Sequence, residues 1–235
     1  MNPSCSKNVP GGADRENPGA FYGRRKGKGL RPGQDALLHT LLPRVRAAAP
    51  DPGAAFPDAI AEIWLEIGFG GGEHLLAQAR AHPDVGLVGC EAFVNGIAKV
   101  LGVLAREGIP NLRIWDGDAA ELIRLLRPGA LGRVYLLYPD PWPKRRHRKR
   151  RFISSENLAA LARLMRPGAE LRFATDIDDY AGWALARVLG SPSFRWTAER
   201  AADWRQPWDG WPGTRYEAKA RREGRQPIYL TFERI

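Results

Sequence analysis

Residues 60–72 read Ile60-Ala61-Glu62-Ile63-Trp64-Leu65-Glu66-Ile67-Gly68-Phe69-Gly70-Gly71-Gly72, an apolar run that closes on a glycine turn and opens onto Glu73-His74-Leu75-Leu76, a stretch of helical composition reaching Ala81. A strand from Ile60 to Gly68 leading through glycines into a helix is the first half of a βαβ unit. Downstream the same grammar repeats. Val85 to Cys90 is a short apolar strand, and Val94 to Glu107 is an amphipathic helix closed by Gly108. Further strands are expected at Leu112 to Trp115, Val134 to Tyr138 and Glu170 to Ala174. Helices are expected at Ala119 to Leu126, from a Ser154 or Ser155 cap to Met165, and at Asp178 to Leu189. This order predicts an α/β, doubly wound, mostly parallel sheet with helices on both faces. In such a sheet ligands lie beyond the carboxyl ends of the strands.

Working outward, residues 1–34 are rich in Gly, Pro, Asn and charge without apolar periodicity, which predicts a flexible basic N-terminal arm. Residues 35–235 are expected to form a single domain. It would begin with a short helix capped by Asp35 and continue through a Pro/Gly/Ala linker from Ala47 to Pro57. At the other end, Phe194 to Ile235 breaks the alternation and closes on a strand at Pro227 to Glu233, expected to run antiparallel. The tail holds Trp196, Trp204, Trp208 and Trp211, half of the eight tryptophans. Such irregular spacing favours packing against a sheet edge or lid over base stacking.

The chain has 235 residues, 44% hydrophobic and 26% charged, the balance of a soluble globular protein. It has no run approaching the roughly 18 apolar residues of a membrane span and no signal-peptide core near its start, so a membrane role is not expected and a cytoplasmic setting is. Cys5 and Cys90 are too few for a disulfide framework, and four scattered histidines offer no metal site. The charge is more telling. Of a net +10, seven positive charges fall in Lys144 to Arg151 and five in Arg24 to Arg31, leaving the rest of the chain slightly acidic. Concentrated Arg and Lys of this kind fit a polyanion such as nucleic acid.

Acids at the strand ends supply the chemistry. Glycines at the end of the first strand let a ligand approach the backbone. A dinucleotide fingerprint starting at Gly68 would need glycine where Glu73 stands, and an acid at a helix start suits a diphosphate poorly. A cationic cofactor without phosphate fits better, and Glu66 agrees. Glu91, directly after the second strand, is placed to accept both hydroxyls of a ribose. Asp118, in Asp116-Gly117-Asp118-Ala119 after the third, is placed to receive an adenine amino group.

This set resembles the Rossmann-like S-adenosylmethionine-dependent methyltransferases. Tyr138-Pro139-Asp140-Pro141-Trp142-Pro143-Lys144 runs straight into the basic cluster. With Ala174-Thr175-Asp176 and Thr214-Arg215-Tyr216-Glu217, it resembles the tRNA (guanine-N(7)-)-methyltransferase family from about Arg24 to the C-terminus. Arg215 and Tyr216 stand where that family often has Lys and Phe. The resemblance implies S-adenosylmethionine contacts at Glu66, Gly68, Glu91, Asp118 and Ala119, and a catalytic role for Asp140. It implies substrate contacts at Lys144, Asp176, Thr214 and Glu217, and RNA contacts at Arg146, His147, Arg148, Lys149, Arg150 and Arg151. It also implies tRNA as partner, with the variable-loop guanine 46 as target. Either Asp140 or Asp176 can read the guanine edge, with Lys144 donating to O6. The rival readings are a methyltransferase of the same fold acting on another RNA and a non-catalytic RNA-binding protein. Monomer and homodimer are both open.

Overall fold

Alternate residues of the first strand face opposite layers, and that alternation organises the molecule. The computed structural model describes residues 23, 25–57 and 60–235. In β1 (Glu62–Ile67), Ile63, Leu65 and Ile67 enter one buried cluster, whereas Trp64 enters another on the far face, as a period of two demands. β4 (Leu131–Leu137) repeats the split, with Val134 and Leu136 on the first face and Tyr135 and Leu137 on the second.

Helices cover both faces. Against the Leu65 face pack α5 (Ala119–Leu125), α6 (Ser155–Leu164) and α7 (Asp178–Leu189). Against the Trp64 face pack α1 (Pro32–Thr40), α2 (Leu42–Val45), α3 (Glu73–Ala81) and α4 (Val94–Glu107). With β2 (Val85–Cys90), β3 (Leu112–Trp115), β5 (Met165–Thr175), β6 (Phe194–Trp196) and β7 (Ile228–Arg234), the sheet has the order β3-β2-β1-β4-β5-β7-β6. The first five strands are parallel and β7 runs antiparallel to both neighbours. The doubly wound α/β architecture with an antiparallel C-terminal strand is therefore as expected. Chain order reverses between β1 and β4, which opens a crevice beyond their carboxyl ends.

Most element bounds agree with the sequence reading, and the departures have local causes. Asp35 does not cap α1: Arg31 takes that position, Pro32 follows at the first helical residue, where its fixed φ and missing N–H cost nothing, and Asp35 lies in the first turn. α6 is capped by Ser154, whose Oγ accepts from the Asn157 amide, and stops at Leu164 rather than Met165. Pro167 cannot continue a helix, so Met165 already starts β5. The basic run folds as a 3-10 turn, Arg145–Arg150.

Residues 1–22 and 24 of the expected N-terminal arm lie outside the described residues. Its basic end docks on α4: the Val94 amide donates to the Arg25 carbonyl (3.0 Å), the Gly27 amide to Asn95 Oδ1 (2.8 Å), and Asn95 Nδ2 to the Lys28 carbonyl (2.7 Å). The tail wraps through α8 (Ala202–Arg205) and α9 (Arg215–Arg222). Its tryptophans pack as expected: Trp208 and Trp211 lie 5.4 and 5.7 Å from the Tyr229 ring, and Trp196 and Trp204 lie against the Leu65-face core.

Candidate active site

Strand register brings the expected residues to one edge. Ile67 pairs with Cys90 and with Leu136, Cys90 with Trp115, and Leu137 with Ala174, so the residues that follow each strand emerge side by side. Glu91, Asp118, Asp140 and Asp176 all arise from this edge. A cavity of about 310 Å³ between Phe56, Ile60, Glu62, Arg127 and Arg166 lies at the opposite, amino ends of the strands.

On the β1–β3 side the backbone does the holding. Gly68, Gly70 and Gly72 have φ of 74°, 54° and 76°, values that side chains rarely adopt. A Cβ on Gly68 would meet nothing within 4 Å, leaving open space above the turn, whereas one on Gly96 would lie 2.1 Å from the Gly70 carbonyl oxygen. Close approach of α4 to the turn thus requires glycine at 96. Glu91 stitches the two together: its Oε2 accepts from the Gly70 amide (2.7 Å), and its Oε1 from the Ala92 and Phe93 amides (both 2.9 Å). A carboxylate has about four acceptor sites, so one remains for a ligand hydroxyl. Accepting both hydroxyls of a ribose requires one of those amides to let go. Asp118 caps α5 through Oδ1 to the Ala120 amide (2.9 Å), with Ala119 as the first helical residue, while neighbouring Asp116 is taken by Arg46 (2.8 Å). Glu66 is 3% exposed, on the Trp64 face, and its Oε2 lies 2.7 Å from His74 Nδ1.

Past β4 the chain is strained. Tyr138 and Trp142 have φ of 49° and 40°, a conformation costing roughly 1–2 kcal/mol at each non-glycine residue. Between them Asp140 is exposed, flanked by Pro139 and Pro141. Burial pushes the Tyr138 phenol far above its ordinary range. Lys144, just before the 3-10 turn, and Arg146 and Lys149 on it are exposed. Arg148 pairs with Asp179 Oδ1 (2.7 Å), Arg150 lies 5.0 Å over the Trp142 ring, and His147 meets that ring edge-on. Partial desolvation, then the charges of Arg150, Arg146 and Lys144, hold the His147 imidazole below its usual range. Arg151 differs from the rest: its side chain is 0% exposed.

Asp176 Oδ2 receives Arg225 Nε at 2.5 Å. Thr214 caps α9, its Oγ1 accepting from the Glu217 amide (3.1 Å). Glu217 is buried, and its carboxylate accepts from Trp211 Nε1, Arg221 Nη2 (2.7 Å) and the Tyr229 hydroxyl (2.8 Å). Burial opposes its ionisation, but these bonds together hold the carboxyl below its usual range.

Sequence reasoning missed what folds the tail over the crevice. Arg215 Nε donates to Glu73 Oε1 (2.8 Å), which Lys99 Nζ also reaches (3.2 Å), and the Tyr216 ring lies over Gly70. Burial raises the Tyr216 phenol, and the Glu91, Asp140 and Glu73 carboxylates add to the rise, so both sides of the crevice face this one ring. The Glu73–Arg215 pair joins residues 142 apart, with no local signal in the sequence. The Arg225 partner of Asp176 and the His74 partner of Glu66 were equally unsignalled. Among the described residues no group of three or more His, Cys, Asp or Glu is arranged for a metal ion, and no helix is long and apolar enough to cross a membrane.

Comparison with known proteins agrees with this geometry. Residues 61–230 match a family described as putative methyltransferase. A tRNA (guanine-N(7)-)-methyltransferase of Chelativorans sp. (strain BNC1) is 52% identical over 92% of this chain and 95% of that protein. One of Azorhizobium caulinodans is 52% identical over 95% and 98%. Among solved structures, that of the 16S rRNA methyltransferase KamB superposes with a TM-score of 0.52 at 20% identity, over 77% of this chain and 95% of that one, which is a likeness of fold. At half-identity along nearly the whole length of both relatives, the chain belongs to the tRNA (guanine-N(7)-)-methyltransferase family.

Proposed function

We propose that the chain transfers the methyl group of S-adenosylmethionine to N7 of a guanine in tRNA, at position 46 of the variable loop, in the cytoplasm. The observation that carries this reading is the meeting, at the β1–β4 switch point, of a glycine turn with open space over Gly68 and an exposed acid, Asp140, that opens onto a run of arginines and lysines.

The residues present fit the cofactor. Space where a Gly68 Cβ would stand, an amide-held carboxylate at Glu91 with an acceptor site to spare, and Asp118 beside Ala119 at the start of α5 suit a nucleoside. Glu66 contributes buried negative charge beneath the turn. When bound, S-adenosylmethionine supplies a methyl group on a cationic sulfur whose leaving group is a neutral thioether.

Guanine N7 carries an in-plane lone pair at neutral pH, so the chain needs no general base. Its work is alignment and electrostatics. Holding the base in line with the methyl group replaces an encounter with a positioned attack. Asp140 stabilises the positive charge that moves onto the purine. Asp140 or Asp176 accepts from N1–H and the N2 amino group together, and Lys144 donates to O6. Thr214 and Glu217 support the substrate from the start of α9. Arg146, His147, Arg148, Lys149 and Arg150 meet phosphates, and the basic segment at Arg24 to Arg31 folds over the substrate from its anchor on Asn95.

The test is to incubate the full chain with labelled S-adenosylmethionine and unmodified tRNA and digest the product to nucleosides. 7-Methylguanosine is expected, and its loss when guanine 46 is replaced by adenine fixes the position. A different methylated nucleoside, or none despite cofactor binding, overturns the reading.

A further inference from the structure

Arg151 closes a run that reads as one electrostatic block, yet it faces inward. Its Nε donates to the Pro141 carbonyl at 2.7 Å, its Nη2 to Asp179 Oδ2, and its Nη1 lies 3.4 Å from the Asp179 carbonyl. The guanidinium also lies 4.8 Å from the Tyr180 ring centre and 5.0 Å from that of Trp183. To reach a phosphate it would have to abandon all of these partners and leave its buried site, so its charge is spent inside the protein.

What it holds is the peptide next to Asp140. Pro139 and Pro141 have no N–H, so carbonyls are the main backbone handles of this loop. The loop starts at Tyr138, whose amide donates to the Ala174 carbonyl (2.8 Å), and the Pro141 carbonyl is fixed by Arg151. Asp140 lies between these two anchors. The left-handed backbone at Tyr138 and Trp142 persists only where the surroundings impose it, and a planar guanidinium gripping a carbonyl on one side and a carboxylate on the other imposes it rigidly.

We propose that Arg151 is a positioning residue for Asp140, tying the Pro141 peptide to the start of α7, and not one of the side chains that bind RNA phosphate. The inference rests on the role given to Asp140 above.

Arg151→Lys separates the two roles, because lysine keeps the charge that a phosphate needs but loses the fork that grips Pro141 and Asp179. Methyl transfer at saturating tRNA and cofactor should fall at least about tenfold, since small misplacements of a reacting group have large effects on rate. The Kd for tRNA and its dependence on salt should stay within about twofold of wild type. Asp179→Asn leaves Arg151 in place and loosens its anchor; it should slow methyl transfer without weakening tRNA binding. As Asp179 is half exposed, this variant decides the matter if Arg151→Lys shows no cooperative melt. A wild-type rate in Arg151→Lys, whatever its tRNA binding, overturns the proposal, and so does an unaltered rate in Asp179→Asn. Failure of the wild-type chain to form 7-methylguanosine overturns the parent reading instead, and the same assay shows which has failed.

Discussion

Past β2 and β3 the candidate carboxylates are oriented by backbone amides, whereas past β4 and β5 the candidate groups are held by other side chains or face solvent. Glu91 answers to three amides and Asp118 to one. Asp176 answers to Arg225, Glu217 to Trp211, Arg221 and Tyr229, and Arg146 and Lys149 are exposed. An amide-held acid is pre-organised by the strand that precedes it and suits a small ligand bound in one pose. A surface of exposed charges suits a large polyanion whose backbone must be followed rather than matched. The two sides therefore predict different signatures on mutation: geometry and cofactor affinity on one, salt-dependent affinity on the other, with Asp140 at the seam answering to neither.

Asp140→Ala tests the seam and should have the largest effect. Turnover is expected to fall by at least about 10²-fold, the scale of removing a group aimed at developing charge, with cofactor affinity nearly unchanged by isothermal titration. Turnover within a few-fold of wild type would take Asp140 out of the reaction and leave Asp176 as the acid facing the base.

Glu91→Gln tests the amide-held side. Glutamine keeps one acceptor oxygen but points an NH2 group at one of the amides now bonded to the carboxylate, so a donor meets a donor. Hydrogen bonds to a charged group contribute about 1.5–3 kcal/mol, so S-adenosylmethionine affinity should fall by roughly ten- to a hundredfold, with the salt dependence of tRNA binding unaltered. If tRNA binding weakened and the cofactor did not, the division between the two sides would be wrong.

The same division governs what could be read from the sequence. β2, β3, α3, α4 and α7 begin and end where apolar periodicity and punctuation place them, because Gly108 at φ 64° and the glycines after Ile67 act through backbone conformation alone. Glu91 and Asp118 were legible for the same reason: a residue just past a parallel strand has its place set by the strand. Side-chain partnerships across the fold left no such trace. Arg146 and Arg151 are the same residue type five positions apart, one exposed and the other buried against Tyr180 and Trp183. Composition cannot separate them, because the difference lies in α7, which arrives later in the chain.

Neutralising Arg146 and Lys149 together tests the exposed side. Five phosphate contacts give a log–log salt slope of roughly −3.5 to −4.5 for the wild type, and losing two should make it shallower by about 1.4 to 1.8 and weaken binding by roughly tenfold at moderate salt. The methyl-transfer rate at saturating tRNA should hold, since neither side chain is bonded to the Asp140 loop. A slope unchanged by the double substitution would move the RNA surface elsewhere, with the basic face of α9 the next to be tested.

The smallest effect comes from His147, and its sign follows from its neighbours. Desolvation and the cations of Arg150, Arg146 and Lys144 depress its pKa, so in the RNA-free protein the neutral imidazole is favoured. Phosphates brought against the turn favour the charged form and raise the pKa, so binding takes up a proton between the two values. Affinity for tRNA should therefore rise as pH falls through the window around and below 6.5, by less than about tenfold, the equivalent of one pKa unit. His147→Asn should abolish that rise while leaving binding at pH 8 as it was. Proton uptake on complex formation can be read directly by titrating in buffers of different ionisation enthalpy. A complex that forms with no uptake at pH 6, or a pH dependence that survives in His147→Asn, would mean that His147 only packs on Trp142 and that the side chains around it carry the RNA contact alone.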